Sequence, residues 1–184
     1  NSNGENVKLW DLNTDTTSNS DSGSLVYAPT EEYVIKCLEG TPNILEVKAV
    51  TKDNDPNGEL NEEGGYYSAI YFSVDLIDQS EFYDDDIVAK GTDAGGCIEV
   101  YSNLGDVLDR NEYLSEFDDK KLLNPGYPEI LGTLIIRTSK KLTEEQNNDL
   151  VFNLMYMLMG GETEYAIPIT EGVIEGQEKA ETQA

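Results

Sequence analysis

Histidine is absent from the 184-residue chain, cysteine occurs twice, tryptophan once, and lysine plus arginine number 12 against 37 acidic residues. Each shortage removes a class of function. Without histidine the chain has no imidazole metal ligand or neutral-pH base, and no Ser-His-Asp or Cys-His arrangement. Any chemistry would have to run on carboxylates, tyrosines, lysines or a hard cation. The formal charge of -25 leaves no basic cluster to displace counterions from a phosphate backbone, so nucleic acid is not an expected partner. Anionic lipid headgroups are disfavoured for the same reason. No run approaches the ~18 apolar residues of a membrane span, so membrane attachment is expected only through an anchor outside this chain. Cys37 and Cys97 stand in no metal-binding spacing. Two buried thiols is the plain reading of them, and a disulfide formed in an oxidising compartment is the alternative.

What is present divides the chain into three parts. Residues 1–29 read as an acidic, polar leader, because the stretch NTDTTSNSDSGS cannot bury enough apolar surface to offset the entropy of ordering. Within it, Val7, Leu9, Trp10 and Leu12 form a small apolar cluster. Residues 30–161 read as one domain and residues 162–184 as an edge segment and charged tail, with Tyr165, Ile167 and Ile169 alternating around Pro168 as a candidate fifth strand.

The domain pattern predicts an α+β fold: a mostly antiparallel sheet of four strands, or five with that edge segment, with helices packed on one face. Thr30 is placed to cap a short helix ending at Gly40, and ILEVKAVT and YYSAIYFSVDLI alternate as two strands of a hairpin. CIEVY is a third strand, followed by a helix capped by Asn103 and carrying Leu104, Val107, Leu108, Leu114 and Phe117 at helical spacing. ILGTLIIRTS reads as one fourth strand, and Thr143-Glu144-Glu145-Gln146 as a capping box opening a last helix that is apolar on almost every side.

Three constellations are candidates for function. In DNDPNGELNEEG, the residues Asp53, Asp55, Asn57, Glu59 and Asn61 fall at alternate positions around Gly58, which is the oxygen-ligand spacing of a calcium loop. Gly64 stands where the bidentate glutamate should be, and the strand-like flanks exclude an EF-hand. Asp55-Pro56-Asn57-Gly58 is equally a type I turn, so turn and calcium site both stay open, and calcium is the one cofactor the residues admit. The second, GTDAGG, is glycine-rich but precedes a strand, the wrong context for a phosphate loop; backbone punctuation and an amide pocket beside Asp93 are its two readings. The third is a sheet face. If helices roof one side only, the period of two sends Glu46, Lys48, Tyr67, Tyr71, Glu99, Tyr101 and Arg137 to the other, where tyrosines suit sugar or protein contact. A solvated face of cross-strand pairs is the ordinary alternative.

Several blocks together, AVTKDNDPNGEL, GGYYSAIYFS, KGTDAGGCIEVY, RNEYLSEFD and GTLIIRTSKKLTEEQ, resemble a family of small exported or lipid-anchored surface proteins of Gram-positive bacteria that has no assigned activity. The resemblance implies an extracytoplasmic address and a mature start after an anchoring cysteine, and it implies no catalytic residues. The expected function is therefore a non-catalytic cell-surface binding or interaction domain with Tyr67, Tyr71, Glu99, Tyr101, Arg137 and Asp93 as contact residues. A calcium-stabilised form of the same domain, and a carboxylate-dependent hydrolase of an envelope polymer, are the alternatives.

Overall fold

The computed structural model describes residues 26–116 and 126–170. The apolar cluster of the leader, Phe117 and the end of the tail lie outside the described residues. The fold is α+β, as the alternation predicts. Helix α1 (Glu31–Glu39) precedes strands β1 (Ile44–Ala49) and β2 (Ser68–Val74), the short helix α2 (Ile87–Lys90), β3 (Gly95–Val100), helix α3 (Leu104–Ser115), β4 (Tyr127–Leu131), β5 (Leu134–Thr138) and helix α4 (Glu144–Leu158). The five strands lie in the order β1-β2-β3-β5-β4, and every neighbouring pair is antiparallel.

The caps fall where the residue types place them. The Thr30 hydroxyl accepts from the Tyr33 amide, Asn103 from the Asp106 amide, and Thr143 with Gln146 forms a reciprocal capping box. Each satisfies helix-end amides that would otherwise lack partners. The acid-rich connection is local capping as well. Asp78 accepts from the Ser80 amide, and Asp86 accepts from Val88 to start α2 while pairing with Lys48 at 2.7 Å.

Two expectations about strands need correction. ILGTLIIRTS is a hairpin: β4 and β5 pair from Tyr127↔Thr138 to Leu131↔Leu134, with Gly132 at φ 58° in the two-residue turn. The fifth strand is thus β4, not the segment around Pro168. That segment docks by other means. The Asn153 side chain donates to the Ile167 carbonyl at 2.8 Å and accepts its amide, and Asn43 does the same for Ile169. Ala166 and Ile169 are buried as a result. The packed unit also starts before residue 30, because the buried Val26 accepts from the Thr133 amide across the hairpin turn.

Helices cover both faces of the sheet rather than one. On the first face, Val34 and Leu38 of α1 and Leu150, Leu154, Met157 and Leu158 of α4 pack on Ile70, Phe72, Val74, Ile98, Val100, Leu134 and Ile136. Helix α4 nevertheless leaves Phe152 exposed, as is Met159 at its C-cap, so it is a one-sided helix. On the second face, Ile87 and Val88 of α2 and Val107 and Leu114 of α3 pack on Ala69, Tyr71, Cys97, Tyr101 and Ile135. Small and aliphatic residues sit between the tyrosines there, and leaving that much apolar surface in water costs more than roofing it. Cys37 and Cys97 are free thiols in the two different cores, separated by the sheet.

Candidate functional site

The second face holds a buried charge cluster. Glu99, next to the C-terminal end of β3 and fully buried, projects from the same side as Cys97 and Tyr101. Arg110 of α3 grips it with two parallel bonds, Nε to Oε2 at 3.0 Å and Nη2 to Oε1 at 2.9 Å. Arg137 of β5 donates to Oε1 at 2.5 Å, and the Tyr101 hydroxyl donates to Oε2 at 2.8 Å. Taking one ion out of water is costly, so a buried carboxylate persists only with this kind of saturation. Burial pushes the Glu99 carboxyl up, but the Arg137 charge and the Arg110 and Tyr101 bonds outweigh it and hold the group below the usual carboxylate range. Burial likewise raises the Cys97 thiol and the Tyr101 and Tyr71 hydroxyls, so none of these is poised to ionise near neutral pH.

Beside this cluster the 51–66 loop folds against α3. Tyr66 is buried, meets the Tyr101 ring edge-on at 6.2 Å, and donates its hydroxyl to Asp55. Asp55 also accepts from the Asn57 amide at 3.0 Å and the Leu60 amide at 2.8 Å. Burial pushes the Asp55 carboxyl up, yet the Tyr66 bond and the backbone amides leave it below its ordinary value. The carboxylate expected as the second ligand of a calcium set thus organises the turn, and Asn57 turns its side-chain amide to the Tyr66 oxygen. Among the described residues no three acidic or cysteine side chains converge as a metal set. Gly65 is fixed by space, since a Cβ there would collide with the Glu59 carbonyl.

Between loop and helix lies a small cleft of ≈ 170 Å³ lined by Glu59, Gly64, Gly65, Tyr101, Arg110 and Tyr113. The Arg110 guanidinium stands 5.4 Å from the centre of the half-exposed Tyr113 ring. Its third nitrogen, Nη1, has no partner among the described residues, and neither does the Glu59 carboxylate.

The outward tyrosine surface expected from alternation therefore does not exist. Tyr71, Glu99, Tyr101 and Arg137 share a face as predicted, but they are buried beneath α2 and α3, and only Tyr101 reaches the cleft. Tyr67 lies on the opposite face, packed against the aliphatic core and donating to the Pro29 carbonyl at 2.6 Å. Alternation breaks just before β2, where Tyr66 takes the place on the second face that Tyr67 was expected to hold. Asp93 belongs to a 3-10 turn whose carbonyl accepts from Ser139 at 3.0 Å. The glycines beside it serve packing: a Cβ on Gly96 would meet the Phe72 ring and the Arg137 carbonyl. Sequence reasoning missed Arg110 and Tyr113. The signal was there for Arg110, which sits three residues after Val107 and four before Leu114, on the buried stripe of α3. A cation on that stripe and an acid between Ile98 and Val100 have to pair.

Fold and site together define a two-sided α+β domain whose second core is closed by an arginine-clamped glutamate. Comparison with family models, with curated proteins and with solved structures found no match.

Proposed function

We propose that the chain is a non-catalytic binding domain displayed outside the cytoplasm, and that its binding end is the cleft between the 51–66 loop and α3. The observation that carries this is the division of polar groups on the second face. Glu99 has both oxygens engaged and its carboxyl held low, the reverse of the raised carboxyl that a hydrolase uses as general acid. Arg110 and Glu59, whose Nη1 and carboxylate have no partner among the described residues, both line the cleft, where they can orient a ligand. Arg110 is itself held rigid by Glu99, so little side-chain entropy is lost when it binds.

The surface address is supported by the blocks that resemble exported proteins, and protease treatment of intact cells expressing the chain tests it: protection until lysis would remove that half of the proposal. The binding half is tested by a fragment screen on the labelled chain, following backbone amide resonances. Hits are expected to perturb Gly64, Gly65 and Arg110. Hits confined to the exposed Phe152 side of α4 would move the binding end elsewhere.

A further inference from the structure

Resting on the cleft as the binding end, we infer that its ligand is a single uncharged pyranose ring of a carbohydrate. The volume of ≈ 170 Å³ is below the ~300–1,000 Å³ that encloses a whole drug-sized ligand, so one ring or one terminal group is all that enters. The polar complement is mixed: Arg110 Nη1 only donates and the Glu59 carboxylate only accepts. A hydroxyl does both, and adjacent hydroxyls on a rigid ring can satisfy the two groups at once. The half-exposed ring of Tyr113 supplies flat apolar area for the carbon face of a sugar. Gly64 and Gly65 add backbone without side chains, and a Cβ on Gly64 would meet nothing, so the rim there is open.

Charge points the same way. An overall charge of -25 repels free anions, while Arg110 beside Glu59 leaves the cleft no strong net attraction for a cation. An uncharged ligand is indifferent to both fields, so its affinity should hardly respond to salt.

The experiment titrates the labelled chain with free glucose, galactose, mannose and N-acetylglucosamine, and in parallel with glucuronate and with alanine as a zwitterion. At least one neutral sugar is expected to shift the Gly64, Gly65 and Arg110 amides with a Kd of about 1–10 mM, and Glu59→Ala and Tyr113→Ala are each expected to weaken it about tenfold. Glu59→Ala should keep the parent Tm, which separates lost contact from lost fold. If only glucuronate or alanine shifts those amides, the cleft stands as a binding site and the sugar assignment falls. If none of the six does so up to about 50 mM, both fall. A sugar response that survives both substitutions also overturns the assignment.

Discussion

The same strands build two unlike cores. On the α1/α4 side the buried side chains are mainly aliphatic, joined by Phe72, and the only buried ionisable group in the cluster is the Cys37 thiol. On the α2/α3 side tyrosines, a cysteine and a clamped glutamate share the space with Ile87, Val107 and Ile135. The first core is held by non-directional burial, and a lost methyl group is felt in proportion to its volume. The second depends on every polar member being satisfied, so losing one stranded partner costs more than the contact itself was worth. A domain can therefore be tolerant on one side of its sheet and brittle on the other.

Removing a member from each core should show the largest effects. Glu99→Ala strands two guanidiniums and is expected to cost about 3–5 kcal/mol, and Leu154→Ala in the first core about 2–5 kcal/mol, so rescue rather than size separates the two. Urea unfolding checks both. The comparison sharpens with Glu99→Met combined with Arg110→Leu and Arg137→Met, which should regain part of the loss because all the desolvated charges go together. No such rescue is available to Leu154→Ala. No gain in the triple variant would remove the distinction.

A smaller effect is expected from pH, and its sign follows from the direction of the shifts. Glu99 and Asp55 are held below their ordinary values in the folded state. Their stabilisation is complete above the ordinary carboxylate range near pH ~4 and fades as pH falls through the folded values. At the other end the raised hydroxyls of Tyr66, Tyr71 and Tyr101 favour folding only until the unfolded chain begins to ionise near pH ~10, and stability declines above it. Tyr33, in the other half of the molecule, is pushed up to about 12 by burial and by Cys37, so it adds to the alkaline loss but not to the acid one. Amide exchange followed across this range should find α3 and the 51–66 loop opening first in acid, with α1 and α4 still protected. Simultaneous loss on both sides would contradict the division.

The smallest expected effect is that of calcium. With Asp55 occupied by Tyr66 and two backbone amides, millimolar calcium is expected to leave Tm unchanged, as ligand linkage requires when the folded state gains no site. A rise of several degrees would show that Asp53, Asn57, Glu59 and Asn61 rearrange around an ion and would restore the loop as a metal site.

Much of this was legible from local chemistry. Thr30, Asn103 and Thr143 marked helix starts because a side-chain oxygen before a helical stripe has one favourable use. Ile70, Phe72, Ile98 and Ile136 were placeable on one face by the period of two. The β4–β5 hairpin was hidden because Gly132-Thr133 interrupts an apolar run without the usual Asn-Gly signal. The bulge between Ile44 and Glu46 put Leu45 in solvent, against the alternation that placed it inside. The cleft was out of reach, since Glu59, Arg110 and Tyr113 come from two separate segments with no spacing to connect them.

The sequence by itself determined the elements, their caps and which residues share a side of each strand, because these follow from interactions between residues a few positions apart. Whether the tyrosine side met water or a second layer of helices was decided only by the tertiary structure. Helix α3 brings its apolar stripe and Arg110 to that side, and the Arg110–Glu99 contact joins residues from two elements that no local spacing connects.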